Sequence, residues 1–279
     1  MTRSLLFIPA NTPAMIQNAD IFEADAIIFD LEDAIHPLEK DAARILLKEY
    51  FKTNPHLNID VIIRINDVSS PYFLSDIKHI MKWPVQGIML PKASIASVEE
   101  LDQLLSKYEK RKKNHEPLWI IPIIEQARSL FEVHTIASHV RVKALLLGGE
   151  DLATDLEVER TQDGEEILLA RQLVIYAAKA YGKEAIDTPF THVDNAEGLI
   201  SDAKHAKRLG MTGKACIHPI QIDTINELFS PTQEQIDYAK KIVLAEEQAS
   251  GKGAFSVDGK MIDKPIIMRA KKLLEKVTK

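Results

Sequence analysis

Lys143-Ala-Leu-Leu-Leu-Gly-Gly-Glu-Asp-Leu-Ala-Thr-Asp-Leu156 changes character at its midpoint. The apolar run 144–147 is typical of a strand that is buried on both faces. A glycine pair follows, and then the adjacent carboxylates Glu150 and Asp151. Glycines at a strand end let the backbone approach a ligand, so the stretch predicts a site at the end of a buried strand. The alternative is that the two acids only cap the next helix.

A second apolar run, Leu118-Trp-Ile-Ile-Pro-Ile-Ile124, also ends at an acid, Glu125. Glu125 and Asp151 are 26 positions apart, which is a natural length for one strand-helix unit of a parallel sheet. Neighbouring strands would bring both carboxylates to one rim. Oxygen ligands of this kind suit a hard divalent cation, magnesium or manganese.

Short apolar runs alternate with helical patterns up to about residue 230. There are eight such runs: 4–9, 26–29, 61–65, 87–90, 118–124, 144–147, 185–186 with 188–190, and 214–217. From Pro9 to His218 is 209 residues over seven intervals, about 30 residues each, the length of a strand, a helix and two loops. The pattern predicts an α/β fold, a (β/α)8 TIM barrel, over residues 1–230. A doubly wound open sheet is the alternative, although it would more typically stop at five or six strands.

The helical windows between the runs carry apolar faces that would pack on a barrel. In the second unit the predicted face is Ala42, Ile45, Leu46 and Tyr50. In the sixth unit it is Ile167, Leu168, Ala170, Val174 and Ala177.

Residues 231–279 are expected to form a C-terminal helix and a lid arm. Ser230-Pro231 predicts the start of a helix that runs to about residue 249. Ser250-Gly-Lys-Gly253 predicts a hinge, and 254–264 a short segment before a last helix at Pro265–Val277. We expect this arm to have no core of its own, and therefore to cover a site or dock on another chain.

Composition excludes several classes of protein. A formal charge of −6 gives no global attraction to nucleic acid or to an anionic membrane. No apolar run approaches the ~20 residues of a membrane span, and the N-terminus does not read as a signal peptide. The single cysteine, Cys216, rules out an intrachain disulfide. A cytoplasmic protein without a nucleic-acid or membrane partner is expected.

Polar residues cluster where the predicted strands end, which is where barrels of this kind place their active sites. They are Asp30, Glu32, Asp33, Arg64, Asn66, Lys92, Glu125, Glu150, Asp151, Asp187 and His218. Acids dominate and a few bases accompany them, so the rim predicts a cation site that faces an anionic substrate. Structural interpretations stay open: Asp30 could cap a loop, Arg64 could be a buried ion-pair residue, and His218 could be a structural hydrogen bonder.

The motifs together resemble a known family. They are Arg3-Ser-Leu-Leu-Phe-Ile-Pro9, Phe29-Asp-Leu-Glu-Asp33, Ile63-Arg-Ile-Asn66, Leu90-Pro-Lys92, Gly149-Glu-Asp151, Glu159-Arg-Thr161, Gly213-Lys214, His218-Pro219 and Asp258-Gly-Lys-Met-Ile-Asp263. In this order they resemble the HpcH/HpaI aldolase/citrate lyase superfamily, and within it the proteins similar to the citrate lyase beta subunit. The likeness covers essentially the whole chain.

This resemblance implies a magnesium-dependent carbon–carbon lyase that acts on a citryl- or malyl-type acyl thioester. It implies Glu125 and Asp151 as metal ligands, Glu32 and Asp33 as partners of metal-bound water, Arg64 as the residue that holds the substrate carboxylate, and Asp263 as the acid/base. For such chemistry the backbone N–H groups of Gly149, Glu150 and Asp151 would bind a carboxylate, and the fork of Arg64 would match one bidentately.

The expected partners are a thioester of coenzyme A or of an acyl carrier protein and a 2-oxo acid. The resemblance also implies a homo-oligomer, with a trimer as the expected count, and leaves other subunits of a lyase complex as candidate partners. Two alternative functions remain: a metal-dependent aldolase for free 2-oxo acids, and a non-catalytic subunit of a lyase complex.

Overall fold

Eight parallel strands pair in chain order and close into a barrel, with the first strand hydrogen-bonded to the last. The computed structural model describes residues 2–110, 116–248 and 254–277. The strands are β1 Ser4–Pro9, β2 Ala26–Asp30, β3 Asp60–Arg64, β4 Gly87–Leu90, β5 Trp119–Ile124, β6 Ala144–Leu147, β7 Glu184–Asp187 and β8 Gly213–Cys216. The TIM barrel prediction is therefore confirmed.

Nine α-helices accompany the described strands of this barrel. They are α1 Pro13–Gln17, α2 Lys40–Thr53, α3 Phe73–Ile80, α4 Ile95–Glu109, α5 Ala127–Ser138, α6 Gly149–Asp155, α7 Leu168–Ala180, α8 Ala196–Leu209 and α9 Ile222–Phe229. Residue contacts divide the chain into two units, Thr2–Leu228 and Phe229–Lys279.

The barrel interior is filled by alternate residues of the strands, as the twofold period of a β-strand requires. The buried interior cluster is Leu5, Ala26, Ile28, Ile62, Met89, Ile121, Ile123, Ala144, Leu146, Ile186 and Ala215. On several strands the next inward position, two residues later, is polar or glycine: Asp30, Arg64, Glu125, Gly148 and Thr188. The last inward layer of the barrel is thus the floor of a site.

Two local predictions are corrected by the structure. Strand β7 ends at Asp187, so Thr188-Pro-Phe190 is not part of it, and Pro189 has no N–H with which to join a ladder. Of the face predicted for helix α2 only Tyr50 is buried; Ala42 and Ile45 are exposed, and Ala43, Leu47 and Phe51 are buried with Tyr50. The face predicted for α7 is confirmed, except that Leu168 is only half-buried.

The second unit is a helix, a β-hairpin and a helix with a small core of its own. Its elements are α10 Gln233–Gln248, β9 Phe255–Val257, β10 Lys260–Ile262 and α11 Lys264–Val277. Asp258 and Gly259 both have positive φ, as a two-residue hairpin turn requires. The shared core contains Ala239, Ile242, Val257, Ile262, Ile267 and Ala270. The expectation of an arm without a core is therefore wrong.

The predicted hinge, Ser250-Gly-Lys-Gly253, lies outside the described residues. Within the described parts of the chain, no helix is long and apolar enough to cross a membrane.

Candidate active site

Arg64 and Asp30 form a two-point ion pair at the floor of the site. They are register partners on β3 and β2, and both point inward. Arg64 Nε donates to Asp30 Oδ1 at 2.7 Å, and Nη2 donates to Oδ2 at 2.5 Å. Asp30 also accepts the backbone N–H groups of Glu32 and Ala34, so it caps this loop as well. The guanidinium lies 5.1 Å from the centre of the Phe7 ring, a cation–π contact.

The carboxyl group of Glu32 lies between the third guanidinium nitrogen of Arg64 and the ammonium group of Lys92. It lies 3.2 Å from Arg64 Nη1 and 3.5 Å from Lys92 Nζ. Burial raises the pKa of Glu32 to about 7; Arg64 opposes this shift, and the nearby Asp33 adds to it. Asp33 itself is exposed. The loop after β2 therefore contributes one buried carboxyl group, that of Glu32, and one exposed carboxyl group, that of Asp33, to the site.

Glu125 is the inward residue that follows β5, and the residue is only 3% exposed. Its Oε1 accepts the backbone N–H of Lys92 at 2.5 Å. Lys92 has a φ of 48°, a left-handed conformation that costs a non-glycine residue energy and is concentrated at functional sites. Burial raises the pKa of Glu125 to about 8, against the hydrogen bond from Lys92, and the carboxylates of Asp151 and Glu32 raise it further.

Gly148 and Gly149 leave the room that Glu125 and Thr188 occupy. A Cβ at Gly148 would lie 2.5 Å from Glu125 Cβ and 2.7 Å from its Oε2, a distance that side chains do not adopt. The N–H of Gly149 donates to Thr188 Oγ1 at 3.0 Å. Of the three N–H groups predicted to bind substrate, that of Gly149 is therefore already engaged.

Helix α6 starts at Gly149 and carries Glu150 and Asp151 in its first turn. Both side chains are exposed at the mouth of the site. Glu150 lies 3.3 Å from Arg160 Nε, whereas Asp151 is close enough to Glu125 to raise the pKa of that carboxyl group. Glu125 and Asp151, the two acids predicted from the ends of neighbouring strands, thus lie at the same rim.

A cavity of about 260 Å³ opens above this layer. Its walls combine the charged residues with apolar ones: Phe7, Pro9, Asp30, Ala34, Arg64, Ile123, Glu125, Leu146, Gly148, Gly149, Glu150, Asp151, Thr188, Pro189 and Ile217. All of them belong to the unit Thr2–Leu228.

The donor set fits magnesium. Glu125 is a buried carboxyl group whose pKa is raised by burial and further by Asp151, so a divalent cation bound beside both acids would favour the charged form of Glu125. The described residues contain no group of three or more His, Cys, Asp or Glu side chains that would enclose a metal. Magnesium is commonly held by one or two carboxylates, with water and substrate completing its shell, so a two-acid site suits it.

Some strand-end residues do not belong to the site. Asp187 is the outward neighbour of Ile186, and it lies in a buried cluster with Arg171, Lys214 and Asp202. The exposed His218 accepts the N–H of Ile220 through Nδ1, so it has the structural role that sequence left open.

Asp263 belongs to the unit Phe229–Lys279. It precedes α11, and its Oδ1 accepts the N–H of Ile266 at 3.3 Å, as an N-cap residue does. The side chain is half-buried.

Three residues near the cavity were missed by the sequence interpretation: Phe7, Arg160 and Thr188. The alternation of side chains along a strand could have identified Thr188, because it lies two positions after an interior residue, Ile186. Phe7 follows Leu5 by the same alternation. Arg160 lies in the Glu159-Arg-Thr161 motif, but its contact with Glu150 depends on a loop and was not predicted.

The family model of the HpcH/HpaI aldolase/citrate lyase family matches residues 3–219. The chain belongs to this family. All eight strands and every cavity residue lie inside the matched range.

Several named proteins are similar to nearly the full chain. The citrate lyase subunit beta of Leuconostoc mesenteroides subsp. cremoris is 35% identical over 99% of this chain and 93% of that protein. The mitochondrial citramalyl-CoA lyase of Rattus norvegicus is 30% identical over 99% of this chain and 86% of that protein. The protein CitE of Mycobacterium tuberculosis, solved in complex with magnesium, acetoacetate and coenzyme A, superposes with a TM-score of 0.81 at 28% identity, covering 100% of this chain and 98% of that one.

Proposed function

We propose that the protein is a magnesium-dependent carbon–carbon lyase that cleaves a citryl- or malyl-type acyl thioester into a 2-oxo acid and an acetyl-type thioester, or catalyses the reverse. The observation that carries the proposal is the pair Glu125 and Asp151 at the rim of one cavity with Arg64. The names of the relatives, a citrate lyase subunit and a citramalyl-CoA lyase, support it. So do the ligands named for CitE.

Glu125 and Asp151 would hold the magnesium ion, and Glu32 and Asp33 would accept hydrogen bonds from its water. When bound, the ion would act as a Lewis acid on the oxygen atoms of the substrate. Manganese, with similar oxygen preferences, would be an alternative ion.

The protein's own groups would orient the 2-oxo acid and transfer one proton. In the cleavage direction the carboxylate of Asp263 would accept the hydroxyl proton, and breaking the carbon–carbon bond would leave its electron pair on the thioester half as an enolate. A proton must then return to that carbon, and Asp263 is the proposed donor. The N–H groups of Glu150 and Asp151, which have no partner within α6, would bind a carboxylate of the oxo acid together with Arg64.

The cavity favours a small acid as the part of the substrate that it encloses. At about 260 Å³ it is slightly below the size of sites that take drug-sized ligands, roughly 300–1,000 Å³. A thioester carrier, coenzyme A or an acyl carrier protein, would therefore remain largely outside this cavity.

One experiment separates the proposed lyase from its two alternatives. Purified protein is assayed with magnesium on citryl-, malyl- and citramalyl-coenzyme A, and in parallel on pyruvate plus an aldehyde. Metal-dependent release of a 2-oxo acid from a thioester is the expected result. Turnover of pyruvate and aldehyde alone would indicate the free-acid aldolase, and no turnover in either assay would favour a non-catalytic subunit.

Arg64→Lys should raise KM for the substrate about 10- to 100-fold although the charge is kept. Two nitrogens of Arg64 hold Asp30, and a lysine cannot keep that two-point bond while it also reaches a substrate carboxylate. Steady-state kinetics measure the effect, with melting temperature as the second readout.

Arg3→Lys is the matched control for this variant. Arg3 makes an equivalent two-point bond, to Asp25, with distances of 2.9 and 2.6 Å, at the opposite ends of the strands. The kinetic constants of the Arg3→Lys variant should stay unchanged. If Arg64→Lys lowers only the melting temperature, as Arg3→Lys would, Arg64 is a structural ion-pair residue and not a substrate ligand.

We further propose a homo-oligomer, with three subunits as the expected number, in which Asp263 serves the site of a neighbouring chain. Mixing Asp263→Ala with Glu125→Gln under conditions of subunit exchange should then restore part of the activity, because some sites receive both intact residues. Recovery is measured against each variant alone, and labelled subunits report the exchange. No recovery despite exchange would contradict action in trans.

We propose a cytoplasmic location, because a chain with one cysteine cannot form an intrachain disulfide. Cys216 is buried, and burial raises the pKa of its thiol to about 12, so it is an inert core residue. Other subunits of a lyase complex are proposed partners on the strength of the name of the Leuconostoc relative alone.

A further inference from the structure

Thr188 is a fully buried polar residue in the wall of the cavity. It occupies the inward position after Ile186, at the end of β7. Lys214 Nζ donates to its backbone oxygen at 2.7 Å, and the same ammonium group is held by Asp187 and Asp202 at 2.6 and 2.5 Å. Buried contacts of this kind fix the backbone from which the Thr188 side chain projects.

The hydrogen bonds of Thr188 leave its hydroxyl hydrogen unused. A threonine hydroxyl has one hydrogen to donate and two lone pairs. One lone pair accepts the N–H of Gly149 at 3.0 Å. Among the described residues, no acceptor takes the hydroxyl hydrogen, although the side chain is buried against the cavity.

The bond from Gly149 also determines which donor faces a ligand. With its N–H engaged, Gly149 cannot offer that hydrogen to a substrate. A Cβ at Gly149 would lie 3.0 Å from Thr188 Oγ1 and 3.1 Å from its Cγ2, so the two residues are in close contact. The engaged amide and the hydroxyl group that accepts from it thus both belong to residues of the cavity wall.

We infer that Thr188 is a substrate-binding residue whose hydroxyl donates to a carboxylate oxygen of the 2-oxo acid, in place of the N–H of Gly149. The inference rests on the proposed function for the identity of the acid. Arg64, on the same cavity, supplies the positive charge that such a carboxylate needs. Thr188 would add a short neutral donor on another wall and so fix the orientation of the acid.

The test compares Thr188→Val with Thr188→Ser. Valine keeps the shape and removes the hydroxyl group, whereas serine keeps the hydroxyl group and removes the methyl group. Binding of oxaloacetate and of pyruvate in magnesium chloride is measured by calorimetry, and KM and kcat are measured with the thioester. Binding should weaken about 10- to 100-fold in the valine variant, as expected for a lost bond to a charged group, and less than about threefold in the serine variant.

Thr212→Val is the matched control. Thr212 is also a buried threonine whose hydroxyl bonds to backbone, since it accepts from Ala185 N–H at 3.1 Å and donates to Ala185 O at 3.0 Å. It precedes β8, at the other end of the barrel, so its loss should lower the melting temperature without weakening oxo-acid binding. If Thr188→Val does not fold, the serine and alanine variants give the same comparison.

The outcomes separate the inference from the proposed function. Equal oxo-acid binding by wild type, Thr188→Ser and Thr188→Val would overturn the role of Thr188, whatever the turnover. A wild type that binds oxo acids through Thr188 but cleaves no thioester would keep the inference and refute the proposed lyase. A wild type that binds neither oxo acid would overturn both.

Discussion

Glu125→Gln should lower magnesium-dependent turnover by at least about 1,000-fold, the loss of about 4 kcal/mol of transition-state stabilisation. The amide keeps the shape of the side chain and can still accept the N–H of Lys92. It lacks the negative charge that would hold a divalent cation. Kinetics give the loss of turnover, and titration with manganese, followed by paramagnetic resonance, gives the loss of metal binding independently.

The fold should tolerate this substitution. Burial disfavours the charged form of Glu125, and Asp151 and Glu32 add to that penalty, so a neutral amide relieves a cost. The melting temperature of the metal-free variant should equal or exceed that of the wild type. This combination, a lost activity and a kept stability, distinguishes a ligand from a core residue.

Glu132→Gln is the matched control. Glu132 lies on α5 and its Oε2 accepts the N–H of Ile95 at 2.8 Å, much as Glu125 accepts that of Lys92. Glu132 does not line the cavity. Turnover and metal binding by the Glu132→Gln variant should therefore stay near wild type. Wild-type metal affinity in Glu125→Gln would show that the cation site has been misplaced.

The barrel was predictable because a parallel strand buried on both faces leaves a continuous apolar run in the sequence. The bounds of β1, β4 and β6 agree with their runs to the residue. The run that included Thr188-Pro-Phe190 failed for a related reason. Thr188 and Phe190 are buried although neither belongs to β7, and Thr188 and Pro189 line the cavity, so burial alone does not distinguish cavity wall from strand.

Side-chain direction was the information that the interpretation of the strand ends lacked. Asp30 and Arg64 were both named from sequence. Their pairing follows from strand register, which cannot be determined from a single sequence. Asp187 was placed at the rim because it follows an apolar run, whereas strand alternation turns it outward, beneath the helices. On α2 the adjacent apolar residues Ala42, Ala43, Ile45, Leu46 and Leu47 allow two different faces, and the structure selects the one that buries Ala43 and Leu47.

The second unit shows the opposite case, in which short elements hide a core. Strands β9 and β10 have three residues each, too short for a clear alternating pattern. Only their pairing around Asp258-Gly259 brings Val257 and Ile262 against the two helices. A sequence of this kind predicts only a short segment where the chain forms a hairpin.

The buried cluster of Arg171, Asp187, Asp202 and Lys214 should be the most sensitive polar feature of the barrel. Asp187→Asn should lower the free energy of unfolding by about 3–5 kcal/mol, because it leaves two cations with a single carboxylate in a buried site. Urea denaturation followed by circular dichroism measures the change. Glu49→Gln, which breaks an exposed pair with Lys52, is the matched control and should cause no resolvable change.

The effect should depend on pH in a defined direction. Burial alone would raise the pKa of Asp187, but Lys214 and Arg171 overcome it and hold the pKa below the usual 3.8. A lowered pKa stabilises the fold at every pH above the unfolded value, and that stabilisation is lost as the pH falls through the folded value. The difference in unfolding free energy between wild type and Asp187→Asn should therefore be constant near neutral pH and shrink below about pH 3.8.

A second substitution tests whether charge balance is the cause. In Asp187→Asn/Lys214→Met the remaining pair, Arg171 and Asp202, is separated by 2.6 Å and is neutral as a unit. The double variant should therefore be more stable than Asp187→Asn, even though more polar contacts are lost. If the two single effects simply add, the cluster acts through its separate hydrogen bonds. If they compensate, the barrel depends on electrical neutrality beneath β7 and β8, and the contact from Lys214 to Thr188 makes the same cluster the support of the cavity wall.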